Sequence, residues 1–290
     1  MSRGASWRPP VGLRPYVTQV SGYCYDAGAQ TSHRGMPSTA LTVVLAFGQP
    51  LDVGWHGRAE TQEHFWGVVS GLSVEAAEIR QRGRQEGISF GLTPAGARLL
   101  LGLPASAVQG QLVSFDDVLG ALGSRLYDAV ADAAGWPERF AALGRELTRL
   151  AAVGEDTYPA RPEVAHAWSR LTGPGEAAPR VAEVASDVGW SRRHLGEQFR
   201  AETGLSPIDV RRLARFERSH AMTRRLAQPI AEVAFACGFA DQAHMTREWR
   251  DLCGYTPGEW IRAELPFVQD GAGAGGDSDV IRFDQHLKES

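Results

Sequence analysis

The sequence predicts an α+β fold, in which a β-rich N-terminal domain with a helical segment precedes an all-α domain. Three observations support this prediction. Short β-branched and aromatic runs, separated by glycine and proline, fill the first 115 or so residues. Leucine and alanine then recur at helical period up to about residue 153. Finally, one pattern occurs twice between residues 181 and 257, which predicts two similar units.

The N-terminal region contains four predicted strands, at residues 16–20, 41–47, 65–69 and 88–92. Pro94 then opens a short predicted helix, Ala95 to Leu101. Further on, leucine–alanine stripes at 117–134 and 137–153 predict an antiparallel helix pair. Those stripes fit either a dimer interface or packing on the β domain.

The repeated pattern predicts a helix-turn-helix in each copy. A short helix carries apolar residues at i, i+3, i+4 and i+7, namely Val181, Val184, Ala185 and Val188, and then Ile230, Val233, Ala234 and Cys237. Gly189 and Gly238 follow, where a helix commonly ends in the left-handed conformation. Ser191 and Asp241 are good N-caps for the next helix. The copies lie 49 residues apart up to the glycine and 50 afterwards, so the second has one extra residue in its turn.

Between the copies, Ser206 to Leu226 reads as one long helix with Pro207 in its first turn. Twenty helical residues span about 30 Å. Because one turn of B-DNA measures about 34 Å, two units so held could enter successive major grooves.

The outward faces of the two second helices are polar. They carry Arg192, Arg193, His194, Gly196, Glu197 and Arg200 in the first copy, and Gln242, Ala243, His244, Thr246, Arg247 and Arg250 in the second. Arginine can bind guanine with two hydrogen bonds, glutamine can bind adenine, and glutamate can accept from cytosine. An ordinary solvated face is the alternative for one such helix, but two complete copies favour DNA recognition.

Residues from about Val164 to Trp260 resemble the DNA-binding domain of AraC/XylS-type transcription regulators. The resemblance lies in Ser191 to Gly204, Ser206-Pro207, Arg215 and Gly238 to Trp260. It implies that positions matching Arg193, Gly196, Glu197, Gln242, Ala243, Thr246 and Arg247 face bases. Since Gly196 and Ala243 offer no side-chain hydrogen bond, we expect readout to depend on Arg192, Arg193, Gln242, His244 and Arg247.

Together these considerations define the predicted site and the predicted domains. The predicted DNA-binding residues are Ser191, Arg192, Arg193, His194, Glu197, Arg200, Arg215, Gln242, His244, Thr246, Arg247 and Arg250. The predicted domains are a β-rich sensor or dimerisation domain with the helical pair (1–155), the two-unit domain (161–265) and a flexible acidic tail (266–290), with a short strand at Val280 to Phe283 as an alternative.

The N-terminal half is similar to the sensor portion of a subgroup of AraC-type proteins, through His33 to Ser38, Leu92 to Leu103 and Glu264 to Asp270. The resemblance names no ligand. Aromatic residues of this half either line an effector pocket or form the core, and they are Tyr16, Tyr23, Tyr25, Phe47, Trp55, Phe65, Trp66 and Phe90. The expected partners are double-stranded promoter DNA, a small-molecule effector, RNA polymerase and a second copy of the chain.

The net charge of −4 looks unsuited to DNA until the chain is divided. Residues 180–262 hold 13 arginines against 11 carboxylates, a local charge of +2. Affinity should then depend on where the arginines lie rather than on a broad positive field. No apolar run is long enough for a membrane span, and the N-terminus lacks a secretion-signal core, so we expect a cytoplasmic protein without a membrane partner.

Catalytic, metal-binding and cofactor-binding functions are not expected. Cys24, Cys237 and Cys253 do not suggest a disulfide framework, and a redox pair is a minor alternative to two core cysteines. The histidines His33, His56 and His64 lack the paired spacing of metal ligands. A DNA-alkylation repair enzyme with an AraC-type domain is one alternative to an effector-controlled transcription regulator, but Cys24 has neither neighbouring cysteines nor a basic flank. The other alternative is a DNA-binding protein whose first half only dimerises.

Overall fold

A computed structural model describes residues 3–157, 161–173, 179–225, 228–264 and 281–282. Its N-terminal region contains two β-sheets, followed by helices that continue to residue 263. The predicted α+β class is therefore confirmed. Within the described residues, no helix is both long enough and apolar enough to cross a membrane.

The first sheet has seven strands in the order β10-β7-β4-β9-β2-β1-β11, and the second has four in the order β3-β8-β5-β6. The strands are β1 (Arg3–Trp7), β2 (Val17–Asp26), β3 (Thr31–Gly35), β4 (Leu41–Phe47), β5 (Leu51–Trp55), β6 (Arg58–Phe65), β7 (Gly67–Ser70), β8 (Ala77–Gln81), β9 (Arg84–Leu92), β10 (Leu112–Ser114) and β11 (Ile281–Arg282). Most pairings are antiparallel, and β1 pairs with β11 in parallel.

The helices are α1 (Pro94–Gly96), α2 (Phe115–Leu119), α3 (Ala121–Ala131), α4 (Trp136–Thr157), α5 (Pro162–Thr172), α6 (Val181–Asp187), α7 (Arg192–Thr203), α8 (Pro207–Arg224), α9 (Ile230–Ala236), α10 (Gln242–Cys253) and α11 (Pro257–Ala263). The predicted helix at 95–101 continues from α1 as a π-helical turn, Ala97–Leu101. Two short 3₁₀ helices lie at Val11–Leu13 and Ala105–Val108.

The predicted helix pair corresponds to α3 and α4, and it packs on the first sheet. Trp7 of β1 stacks on Phe140 of α4 with ring centroids 6.0 Å apart, and Trp136 also stacks on Phe140 at 6.0 Å. The Tyr127 hydroxyl of α3 donates a hydrogen bond of 2.7 Å to the carbonyl of Ala46. These contacts support the second of the two interpretations of the apolar stripes.

The tail beyond residue 265 was expected to be flexible, with a short strand as the alternative. Ile281 and Arg282 form that strand, paired with Ala5 and Ser6 at the free edge of the first sheet. The remainder of the predicted tail lies outside the described residues.

Candidate nucleic-acid interface

Both repeated units adopt the predicted helix-turn-helix. The first consists of α6 and α7, and the second of α9 and α10. Gly189 and Gly238 have φ values of +72° and +76°, the left-handed region that glycine occupies at no steric cost. The residue after each glycine donates its backbone N–H to the preceding helix, from Trp190 to Ala185 at 2.8 Å and from Phe239 to Ala234 at 3.0 Å.

The second helix of each unit, α7 or α10, is called the recognition helix below. Each is capped at its N-terminus by the predicted residue. The Ser191 hydroxyl accepts the backbone N–H of His194 at 3.2 Å, and the Asp241 carboxylate accepts that of His244 at 2.6 Å. The extra residue of the second turn is Ala240, which lies between the buried Phe239 and the Asp241 cap. The insertion therefore lengthens the turn without displacing either the aromatic or the cap.

The inward faces of the recognition helices are fully buried and held by different partners. In the first unit, Phe199 stacks on Trp168 of α5 with centroids 5.7 Å apart. In the second, the Trp249 indole donates a hydrogen bond of 2.8 Å to the Ser219 hydroxyl of α8. His220 of α8 is surrounded by Phe216, Trp249 and Trp260, and burial lowers its pKa to about 4.

The outward face of the first recognition helix presents arginines to solvent. Arg192, Arg193 and Arg200 are exposed and line one open groove with Gly196. The Arg193 side chain is 91% exposed, and its Nε donates a hydrogen bond of 2.9 Å to Glu197. This hydrogen bond holds the pKa of Glu197 below its usual range. Base recognition by Arg193 must therefore compete with Glu197 or use both side chains together.

The outward face of the second recognition helix presents Gln242, Ala243, Arg247 and Arg250, all exposed, with Thr246 half-buried. Arg250 lies 3.4 Å from Glu259 of α11. Gln242 and Arg247 have their polar ends accessible to solvent.

Partners within the protein are also found for Arg215, His244 and His194. Two guanidinium nitrogens of Arg215, on α8, donate to the two carboxylate oxygens of the buried Glu248. The guanidinium also lies 4.8 Å from the Phe239 ring centroid. His244 accepts the Ala240 N–H at its Nδ1, at 3.2 Å, and its Nε2 lies 3.4 Å from Glu248. His194 packs edge-on against Trp190, with centroids 4.8 Å apart. Arg215 and His244 thus converge on Glu248 within the second unit.

Glu248 is the functional neighbour that the sequence analysis missed. It is 8% exposed and receives Arg215, His244 and, at 3.6 Å, Arg212. A buried carboxylate needs such partners, because an unpaired charge in the interior is strongly unfavourable. The signal was available: Glu248 lies one helical turn after His244 on an otherwise apolar inward face.

The C-terminal ends of both recognition helices contact the β-rich domain. In the first unit, Arg98 binds the buried Glu202 with two hydrogen bonds, one of 2.7 Å, and the Ser106 hydroxyl donates to the Ala201 carbonyl at 2.7 Å. In the second, Arg34 donates to the Cys253 carbonyl at 2.6 Å. The N-terminal ends, which in this motif approach the base edges, lie away from these contacts and are exposed.

The remaining cysteines and histidines behave as core or surface groups. Cys237 and Cys253 lie in the core, and burial raises the pKa of the Cys237 thiol and raises that of Cys253 to about 11. Cys24 donates to Glu86 over 3.8 Å. His56 and His64 lie 3.5 Å from Glu78 and 3.7 Å from Asp52, respectively. Among the described residues, no cluster of His, Cys, Asp and Glu has the arrangement of a metal site.

Comparison with known proteins agrees with this geometry. Residues 184–263 match the family model of a helix-turn-helix domain. A Streptomyces antibioticus protein named as AraC-like is 27% identical over 102 residues, covering 35% of this chain and 30% of that protein. The HTH-type transcriptional regulator GlxA of Rhizobium meliloti is 32% identical over 79 residues, covering 27% of this chain and 24% of that one. The chain thus spans less than a third of the length of either relative.

A solved structure extends the likeness to the whole fold. The 1.65 Å structure of ToxT from Vibrio cholerae superposes with a TM-score of 0.53 and covers 85% of this chain and 99% of its own, at 10% identity. The C-terminal region is therefore a helix-turn-helix domain that is similar to the matching part of AraC-like regulators. The β-rich domain and the two units occur together in the same overall arrangement as in ToxT.

Proposed function

We propose that this protein is a sequence-specific, DNA-binding transcription regulator that reads promoter DNA with two recognition helices. The observation that carries the proposal is the repetition itself. Two complete units each expose the N-terminal end of a capped recognition helix, with Arg192, Arg193, Gln242 and Arg247 in solvent. These side chains can distinguish base pairs in the major groove.

The linker helix α8 supports the proposal that the two helices enter successive grooves. Its 18 residues correspond to a rod of about 27 Å, near the 34 Å or so of one B-DNA turn. Trp249 joins the second unit to this rod through Ser219, and Val210 and Leu213 of the rod are fully buried. The spacer is therefore anchored by packing rather than free to bend.

Selection of bound genomic fragments by the purified full-length protein tests this function. We expect a small set of enriched fragments that share a sequence, and tighter binding of an enriched fragment than of its scrambled version. Arg193→Ala should lower this preference, whereas Arg149→Ala, which removes an exposed arginine of α4, should leave it unchanged. Equal binding of enriched and scrambled fragments by the native protein would refute the proposal.

We also propose that a small uncharged effector binds in the β-rich domain. A cavity of about 410 Å³ lies between the two sheets, within the range typical of ligand sites. Its polar residues include Tyr23, Tyr25, His33 and Gln81, and the described residues that line it include no Asp, Glu, Lys or Arg. Burial lowers the pKa of His33 to about 4, so His33 is neutral at pH 7. A charged ligand would find no counter-charge here.

Of the eight aromatic residues that could line an effector site, Tyr23 and Tyr25 line this cavity, whereas Phe47, Phe65 and Phe90 belong to the buried core.

A thermal-shift screen with uncharged metabolites and their charged analogues tests the effector. We expect stabilisation by one uncharged class, and loss of that stabilisation in Ser89→Phe, which would fill the cavity. Stabilisation that survives in Ser89→Phe would place the ligand elsewhere, and the absence of any stabilising uncharged compound would favour a domain that only dimerises.

Two further partners belong to this proposal: RNA polymerase, which a regulator at promoter DNA meets in the cytoplasm, and a second copy of the chain. In the helix pair, Leu122 of α3 and Val153 of α4 are exposed, which supports self-association through these helices. Sedimentation of the native protein and of Leu122→Asp measures it. A dimer that Leu122→Asp converts to monomer is expected, and an unchanged mass would contradict this interface.

A further inference from the structure

The segment from His33 to Thr39 contacts three parts of the molecule, namely the cavity, the second helix-turn-helix unit and the linker helix α8. It begins in β3, which is an edge strand of the four-stranded sheet. Successive side chains of a strand point to opposite faces, so this strand presents two different surfaces. One surface belongs to the cavity, and the other lies against the second helix-turn-helix unit.

On the cavity side, His33, Gly35 and Met36 form part of the lining. His33 pairs in register with Ile79 of β8, which also lines the cavity. The space beside Gly35 is restricted, because a Cβ atom there would lie 3.3 Å from both Ala77 and Ile79. A ligand that enlarges the space between the sheets must therefore displace this strand or the neighbouring β8.

On the other side, Arg34 completes the C-terminal end of the second recognition helix. Its guanidinium donates to the Cys253 carbonyl at 2.6 Å and lies 3.7 Å from the centroid of the Tyr255 ring. The last carbonyls of a helix lack partners within the helix and carry its negative dipole end, so a cation there is favourable. Gly254 provides the room, since a Cβ atom on it would lie 2.6 Å from the Arg34 guanidinium.

The backbone of β3 is held by the same unit. The Arg34 N–H, on the open edge of the sheet, donates to Glu264 at 3.2 Å, and the Tyr255 hydroxyl donates to the same carboxylate oxygen at 3.1 Å. Four residues further on, Ser38 and Thr39 donate to the two oxygens of Glu217 on α8, at 2.7 and 2.5 Å. The segment therefore contacts both the second unit and the rod that joins the two units.

We propose that His33–Thr39 is a relay that couples occupancy of the cavity to the position of the second helix-turn-helix unit, with Arg34 as its positioning residue. The relay rests on the proposed effector site, whose regulation it describes. The first unit is contacted by other segments, through Arg98 and Ser106. A displacement of β3 therefore changes the second recognition helix relative to the first, and with it the spacing offered to DNA.

Hydrogen exchange measured by mass spectrometry tests the relay without DNA and without an identified ligand. Val44→Phe on β4 fills the cavity from the opposite sheet and serves as a permanent occupant. We expect exchange in residues 250–264 to change by at least about fivefold, the lower end of ordinary allosteric coupling, while exchange in residues 192–203 stays near the native value.

The decisive comparison is a double-mutant cycle with Arg34→Ala. Cavity filling should have no further effect on residues 250–264 once Arg34 is absent, because the connection has been removed. Arg58→Ala, on the exposed β6 strand of the same sheet, is the matched arginine control and should leave the effect of filling intact. Ser89→Leu, which fills the cavity from β9, replaces Val44→Phe should the latter fail to melt cooperatively.

Two results would overturn the relay: unchanged exchange in residues 250–264 on filling the cavity, or an equal change with and without Arg34. Neither depends on DNA binding. A protein that binds no specific DNA but shows the Arg34-dependent change would retain the relay and lose the proposed regulator function, and the opposite pair of results would do the reverse.

Discussion

The two helix-turn-helix units share one backbone plan but are stabilised in different ways. The first is stabilised from outside, by Trp168 against Phe199 and by Arg98 from the β-rich domain against Glu202. The second is stabilised largely from within and from the linker helix, through Trp249 and the pairing of Arg215 with Glu248. A sequence repeat thus predicts a repeated shape, whereas the origin of the stability of each copy has to be determined separately.

The largest effect should come from removing the aromatic anchors at equivalent positions. Trp249→Ala and Phe199→Ala should each lower the free energy of unfolding by about 3–5 kcal/mol, because both side chains are fully buried. We expect the larger loss for Trp249→Ala, which also leaves the buried Ser219 hydroxyl without its donor. Urea titration followed by circular dichroism measures both. A smaller loss for Trp249→Ala would contradict the greater internal dependence of the second unit.

Removing the arginines that neutralise the buried carboxylates should rank next. Arg215→Ala leaves Glu248 with Arg212 at 3.6 Å, and Arg98→Ala leaves Glu202 with Arg161 at 3.5 Å, so we expect about 3 kcal/mol for each. Since both arginines are paired with buried carboxylates, DNA affinity should fall equally for all sequences. A change in base preference of Arg215→Ala, measured by competition binding, would return Arg215 to the set of reading residues.

Lowering the pH should destabilise the second unit more than the first, because His220 contacts the aromatic core of the second unit. Its pKa is about 4 in the folded protein against 6.5 for an unperturbed histidine, so the unfolded chain binds more protons between these values. The contribution of His220 to the free energy of unfolding is fully present above pH 6.5. It falls by about 3 kcal/mol in total as the pH drops towards 4. His220→Phe should flatten that part of the pH profile, whereas His166→Phe, on the exposed side of α5, should not. Equal slopes for the two variants would contradict the assignment.

The smallest effects concern the exposed arginines of the recognition helices. Arg247→Ala should weaken binding to the selected site by about 1–3 kcal/mol with little change on random DNA. Arg193→Ala should cost less, because Arg193 must first leave Glu197. Fluorescence anisotropy with specific and scrambled duplexes measures the loss of affinity in both variants. In a Glu197→Gln background, the loss caused by Arg193→Ala should come closer to that caused by Arg247→Ala. Equal losses on both duplexes would assign these arginines to phosphate contacts instead.

Local signals in the sequence were sufficient for the helix-turn-helix units. The caps Ser191 and Asp241, the glycines at positive φ and the apolar stripes all act within a few residues, and each is found where it was predicted. Strands with a regular apolar alternation were also found, although β2 and β9 extend further than predicted. Several strands were not predicted, namely β1, β3, β5, β6, β8 and β10. Strand β6 gave no signal because its sequence, Arg58–Phe65, is almost entirely polar and mostly exposed.

Contacts between distant residues could not be predicted in the same way. Arg34 and Glu264 are 230 residues apart, and nothing near either residue indicates the other. The same applies to the role of Arg215, whose resemblance to a family position does not say that its charge is occupied by Glu248. Such long-range pairing decides which polar side chains of the candidate interface are exposed to solvent. The sequence therefore predicted the surface, but not which of its residues are free to contact bases and which stabilise the fold.

The additional residue of the second turn has a chemical consequence for the helix that follows. Because the amide hydrogen of Ala240 points at the Nδ1 lone pair of His244, that nitrogen is an acceptor, and a neutral imidazole must carry its own hydrogen on Nε2. The first copy lacks this insertion, and its histidine is therefore not committed to one tautomer by its turn. A single inserted alanine thus fixes the tautomer of His244, whereas the turn of the first copy places no such constraint on His194.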